Sequence, residues 1–152
     1  MVASVVSSLT LSQAEIITAA ALAEAQRAGF LPLAVAVLDS GGHLIMAKRE
    51  DGSGLLRLDI AVAKAWGALG LGLDARTIGE RLGRNPPFLN ALSATSGGRL
   101  APNAGGLLIL DTQGRAIGAV GISGDTGDND EVCAAASIRA AGFETTSDRK
   151  AS

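Results

Sequence analysis

The chain has no tyrosine, and a single cysteine, histidine and tryptophan among 152 residues; aromatics make up only 3% of it. Each shortage excludes something. One thiol, Cys133, cannot build an intramolecular disulfide framework. A reducing compartment is then the default, and the sequence reads as cytoplasmic. One histidine, His43, cannot make a zinc site with one cysteine. Basic blocks are also missing. The 13 Lys and Arg are scattered among 15 Asp and Glu, for a net charge of -2. Nucleic acid is therefore not an expected partner, since phosphate binding needs a clustered cationic face. The first eleven residues, MVASVVSSLTL, carry no Lys or Arg and do not read as a signal peptide. No apolar run reaches the roughly 20 residues of a membrane span without a charge or turn signal.

What is present is alanine, leucine, valine, isoleucine and 20 glycines, a composition suited to close backbone packing and tight turns. The length suits one domain with a self-sufficient core. The expected organisation is a flexible tail over 1–11, a single domain over 12–143 and a flexible polar tail over 144–152. Ser12 and Glu15 have capping-box spacing and open a helix that runs to about Ala28 and stops at Gly29. Residues 33–38 and 43–48 read as strands joined by Asp39-Ser40-Gly41-Gly42. A second helix, 55–69, is apolar nearly all round, which implies burial on several sides. Its charges are Arg57, Asp59 and Lys64; Arg57 and Lys64 are seven apart and share a face. Asp74 caps a short helix ending near Gly83, and Asn85-Pro86-Pro87 stops it. Residues 86–104 give no clear element, with 96–102 loop-like. A second hairpin follows over 106–110 and 115–122, then a helix over 130–141. The turns VLDSGGHLI and ILDTQGRAI are alike because Asp and Ser/Thr favour such turns. Two antiparallel hairpins separated by helices predict an α+β fold, an antiparallel sheet with helices packed on its faces.

Chemistry is easiest to place in GAVGISGDTGDNDEVCAAA, residues 118–136, where Asp125, Asp128, Asp130 and Glu131 are concentrated. Capping explains much of that charge: Asp128 or Asn129 caps the last helix, with Asp130 and Glu131 in its first turn. A calcium loop counted from Asp125 fails, because its sixth position is Asp130 where glycine is needed. Asp130 and Glu131 remain candidates for proton transfer. Arg57 and Lys64 either pair with Asp59, Asp130 or Glu131, or anchor a ligand carboxylate; Arg99 and Arg49 are further candidates for that anchor. His43 is either an exposed strand residue or a metal ligand. Cys133, beside carboxylates, reads as structural. Ser123 stands in GISGD, which is not a nucleophile elbow.

The order of four pieces is specific: AVAVLDSGGHLIMAKREDG, IAVAKAWGA, the pair Gly105-Gly106, and IGAVGISGDTGDNDEVCAAA. Across about residues 12–143 the chain resembles the GlcG/HbpS/PduO C-terminal family of small haem-binding domains. The resemblance implies a profilin-like α+β fold and homo-oligomers with ligand pockets near subunit interfaces. It implies haem or a related tetrapyrrole as ligand; members are also linked to redox sensing, corrinoid metabolism or small acids from aromatic breakdown. With one cysteine and no tyrosine, covalent attachment and a tyrosinate ligand are excluded, leaving His43, Cys133, Met46, Met1 or an oxygen ligand such as threonine for the iron. His43 is the candidate named for it. Propionates would suit Arg57, Lys64 or Arg99. The full set of ligand-binding candidates is Arg57, Lys64, Arg99, Gly105, Gly106, Ser123, Gly124, Asp125 and Asp128. Two other readings stand beside this one. In the first, the protein is a hydrolase, deaminase or tautomerase: Arg57 and Lys64 hold a small unsaturated carboxylate while Asp130 or Glu131 moves protons. In the second, it is a non-catalytic oligomeric sensor or scaffold.

Overall fold

The computed structural model describes residues 1–151. The elements run α1 (Leu11–Ala28), β1 (Ala34–Asp39), β2 (Leu44–Arg49), α2 (Leu56–Leu71), α3 (Ala75–Leu82), α4 (Pro86–Thr95), β3 (Gly106–Leu110), β4 (Ala116–Ser123), α5 (Gly127–Ala140) and α6 (Thr146–Lys150). The two hairpins join edge to edge into one antiparallel sheet of order β2-β1-β4-β3. The α+β architecture expected from the sequence is the one observed.

Strand alternation divides the core in two. Val35 and Val37 of β1, Val120 and Ile122 of β4, and Leu107 and Ile109 of β3 point to one face. There they meet Ile17 and Ala21 of α1 and Cys133, Ala134 and Ile138 of α5. Leu38, Leu108, Leu110 and Ala119 point to the other face, against Ala65 and Ala68 of α2. The second face is built for close approach. A Cβ on Gly121 would lie 1.8 Å from the Ala61 carbonyl oxygen, so only glycine lets α2 rest on β4 here. Gly121, Ala61 and Ala65 are thus the small residues that let the α2 backbone touch the β4 backbone.

Helix starts differ from the sequence expectation in instructive ways. Thr10, not Ser12, opens α1: its hydroxyl accepts from the Gln13 amide at 3.1 Å, and Gln13 Oε1 accepts from the Thr10 amide at 2.9 Å. The same box spacing recurs two residues earlier, with Gln13 in place of Glu15. Asp74 sits at the N-cap position of α3 without capping it; its carboxylate accepts from the Leu108 amide at 3.0 Å and from the Thr146 hydroxyl. Pro86 and Pro87, which stop α3, start α4, where a missing amide proton has no cost. Thr126, rather than Asp128 or Asn129, caps α5, which starts three residues earlier than expected; the Thr126 hydroxyl accepts from the Asn129 amide at 3.2 Å. The chain is also tied down beyond the expected boundary at 143. Glu144 bridges Leu110, a Thr145–Asp148 capping box opens α6, and Arg139 holds Asp148 at 2.8 Å. No described helix is long and apolar enough to cross a membrane.

Candidate functional site

Helix α2 carries the chemistry-bearing residues, and its two ends differ. Its middle and N-terminal part lie over the end of β4 and the start of α5. Lys64 is buried there, its side chain 3% exposed, and Nζ donates to the Ile122 carbonyl at 2.8 Å and to Asp130 Oδ2 at 3.0 Å. Asp130, 2% exposed, accepts from the Asp125 amide at 3.0 Å through Oδ1. Burial lowers the Lys64 pKa and raises that of Asp130, and the opposite charge of each opposes the shift in the other. Gly105, at φ 109°, closes over the pair: a Cβ there would lie 2.8 Å from Asp130 Cβ and 3.0 Å from Lys64 Nζ. Gly106 likewise makes way for the Lys64 backbone, and Gly124 for Pro32. Of the alternatives open for Lys64, the geometry is that of the ion pair with Asp130.

The remaining acids of the loop also have partners. Asp125 accepts from the Leu31 amide, the Thr126 amide and Asn129 Nδ2 at 2.7, 2.7 and 2.8 Å. These hydrogen bonds hold its carboxyl below the usual range and pin the loop to the segment before β1. Asp128, 80% exposed, pairs with Arg76 of α3, which also binds Glu131 at 2.9 Å. The second oxygen of Glu131 is buried without a hydrogen-bond partner. Arg57 is part-buried, and its Nη1 donates to Ser123 Oγ at 3.3 Å. Among the described residues no group of three or more His, Cys, Asp or Glu is placed to hold a metal ion. Cys133 is buried, and burial pushes its thiol up to about 11, in keeping with a structural role.

The C-terminal part of α2 has another character. Trp66 stacks under the Arg99 guanidinium, 3.9 Å from the ring centroid, while Arg99 Nε donates to the Ser96 carbonyl at 2.8 Å. Two concavities flank the indole. One, of about 170 Å³, is lined by Gly67, Gly70, Leu71, Leu92 and Leu100; the other, of about 130 Å³, by Ser40, Gly41, Gly42 and Leu69. The β1–β2 turn lies against the indole edge, so that a Cβ on Gly42 would be 3.0 Å from Trp66 Nε1. The next residue is His43, 83% exposed, with Nδ1 3.3 Å from Asp39 Oδ1. Asp39 Oδ1 also accepts from the Gly41 and His43 amides at 2.9 and 3.0 Å, which holds the Asp39 carboxyl below its usual range.

The sequence candidates therefore fall into two groups. Arg57, Lys64, Gly105, Gly106, Ser123, Gly124, Asp125, Asp128, Asp130 and Glu131 gather around the N-terminal and middle parts of α2 and the start of α5. Arg99 stacks on Trp66 at the other end, and His43 follows the turn glycine that abuts the indole. Sequence reasoning gave no role to Arg76 or Trp66. Arg76 reaches Asp128 and Glu131 across more than 50 residues, which no local spacing announces. Trp66 is the only tryptophan, and its rarity was the available signal.

Comparisons with known proteins agree with this architecture. A family model described as haem degrading protein HbpS-like matches residues 9–139. An uncharacterized 15.0 kDa protein from the dhaT–dhaS intergenic region of Citrobacter freundii is 31% identical over 104 residues, covering 68% of this chain and 72% of that protein. The crystal structure of Klebsiella pneumoniae protein ORFY superposes with a TM-score of 0.81 at 28% identity, covering 92% of this chain and 94% of that one. A PduOC:heme complex gives a TM-score of 0.81 at 26% identity, with 92% and 99% covered. A double mutant of Streptomyces reticuli HbpS gives 0.75 at 27% identity, with 91% and 89% covered. By the extent of the family match and the agreement of fold, the chain belongs to the HbpS-like family.

Proposed function

We propose that this protein binds haem or a related tetrapyrrole at the C-terminal end of α2, in a site completed by a second copy of the chain. The observation that carries the reading is Trp66, stacked under Arg99 between two shallow concavities, one of them lined by the Gly41–Gly42 turn that His43 follows. The residues suit the group. The Asp39 carboxylate beside Nδ1 orients the imidazole and leaves Nε2 toward solvent, the arrangement of a metal-binding histidine with its carboxylate partner. Leucines and glycines supply an apolar bed, and Arg99 places a cation beside it for a propionate. The relative solved as a PduOC:heme complex supports the same ligand class. Bound haem would supply iron for redox or oxygen chemistry; the chain's part is to orient the imidazole and exclude water.

The two concavities are smaller than the ~300–1,000 Å³ of a typical ligand pocket, so one chain covers only part of a macrocycle. Helix α4 points to the source of the rest. It reads PPFLNALSAT, rims the larger concavity through Leu92, Thr95 and Ser96, and has no fully buried residue; Phe88 is 48% exposed. A second subunit seated there would cover an apolar helix and deepen the pocket. The catalytic reading, with Lys64 and Arg57 holding a small acid, has less support because Lys64 and Asp130 are bonded to each other.

Titration of the purified protein with hemin tests the proposal, followed by the Soret band and by quenching of Trp66, the sole tryptophan. The expected result is a saturable change in both signals, with the Soret position altered by His43→Ala and affinity weakened by Arg99→Gln. Absence of saturation, or identical spectra for wild type and His43→Ala, would remove this assignment.

A further inference from the structure

We infer a second ligand site, for a small oxyanion, at the N-terminal end of α2, formed by Arg49, Ser53, Arg57 and Ser123. The sheet register assembles it. Ala34 of β1 pairs with Arg49 on β2 and with Ser123 on β4, so the three side chains leave the same face of the sheet. It is the α2 face, because Ala34 has the strand parity of Leu38, which packs on Ala65 and Ala68. Arg49 and Ser123 stand two strand spacings apart, about 10 Å, with only a methyl group between them. The first turn of α2 lies over this gap and brings Arg57, whose Nη1 donates to Ser123 Oγ at 3.3 Å. From the other side Arg49 Nη1 donates to the Ser53 carbonyl at 3.2 Å.

Two features show that this group lacks a partner. The first is the state of the arginines. Among the described residues Arg27, Arg76, Arg115, Arg139 and Arg149 each hold a carboxylate, whereas Arg49 and Arg57, like the stacked Arg99, hold only neutral oxygens. Neighbouring acids do not serve them: Glu50 is bonded to the Leu33 amide at 2.7 Å, and Asp59, two residues from Arg57, lies round the helix. The second is Ser53. It is 9% exposed, and its hydroxyl is buried without a hydrogen-bond partner. Ser53 stands two residues before Leu55, the N-cap of α2, which has no side-chain oxygen to cap the first amides. Two guanidinium forks, two hydroxyls and an uncapped helix N-terminus share one requirement, a compact anion with several acceptor oxygens. A carboxylate and a phosphate both meet it. The site stands apart from the proposed haem site, since Arg57 and Trp66 are nine residues apart, about 13 Å along the helix.

Calorimetric titration with inorganic phosphate and, separately, with succinate, at constant ionic strength set by chloride, tests the inference. Saturable binding of at least one is expected, and which binds tighter identifies the ligand class. Arg57→Gln and Arg49→Gln should each weaken it by roughly tenfold or more, and Ser53→Ala by about threefold, while Arg81→Gln leaves it unchanged. Arg57→Lys keeps the charge but not the fork, and should also weaken binding while circular dichroism shows an intact fold. The hemin titration of Arg57→Gln should match wild type, so failure here and failure of the haem assignment are separable. No saturable heat with either anion, or affinities untouched by both arginine substitutions, would overturn the site.

Discussion

The middle of α2 and its C-terminal end are built on opposite principles. Toward β4 and α5, the helix buries charge and satisfies it: Lys64 is enclosed with Asp130, and Gly105 is shaped to the pair. Toward the β1–β2 turn and α4, it presents an indole, two glycines and leucines to shallow concavities, and the nearby cation, Arg99 from the loop after α4, is stacked rather than paired. Both parts belong to one helix that is apolar nearly all round, so the difference comes from what each part faces. A buried ion pair stabilises little relative to an apolar replacement but fixes a geometry, since either partner alone is a buried, unpaired charge. The open end carries no such constraint. The fixed ion pair thus lies at the middle of the helix and the accessible surface at its C-terminal end.

The largest expected effect tests the ion pair. Lys64→Met leaves the Asp130 carboxylate buried without its cation, and chemical unfolding should show a loss of about 3–5 kcal/mol. Lys64→Met with Asp130→Leu should recover much of it. A single variant within 1 kcal/mol of wild type would mean that the pair is hydrated, and the contrast between the ends would fail. Gly105→Ala comes next. Its φ of 109° and the 2.8 Å contact with Asp130 Cβ predict a loss of about 1–3 kcal/mol. At the open end Arg99→Ala removes an exposed stacking cation and should lower stability by only ~0.5–1 kcal/mol, while weakening hemin binding. A stability loss equal to that of Gly105→Ala would show that this end is part of the folding core.

Much of the fold was legible from sequence, and the exceptions have physical causes. Both hairpins were visible because an aspartate and a glycine mark each turn, and in each the aspartate carboxylate accepts backbone amides across it. Helix α4 was missed because Pro86-Pro87 has two meanings: a stop for the preceding helix and a start for the next. The start of α5 was displaced because Thr126, Asp128 and Asn129 can all cap, and only the loop anchored by Asp125 selects Thr126. Within the site, the Lys64–Asp130 pair stood among the alternatives, since both residues lie on recognisable helices. Arg76 and the Arg49–Ser123 alignment did not, because they arise from helix docking and strand register, which depend on residues far away in sequence. Trp66 was in view but without a role, since a helix apolar on every side does not say which face is open.

The smallest effect separates the ends by pH. At the open end, hydrogen bonds from the His43 and Gly41 amides hold Asp39 below its usual pKa, so the folded state prefers the carboxylate. The stability it contributes is present above the unfolded value of about 3.9 and is lost as pH falls through the lower folded value. Asp130 has the opposite sign: burial raises its pKa, so its own ionisation opposes folding as pH rises, and the Lys64 charge beside it opposes that shift. Asp39→Asn should therefore cost ~0.5–1 kcal/mol at pH 6, a value discounted for partial exposure, and the difference from wild type should shrink progressively as pH falls below the unfolded value. Thermal melts of both proteins across that range measure it. A difference independent of pH would mean that the turn needs only a side-chain oxygen, and that the orientation of His43 does not depend on charge at Asp39.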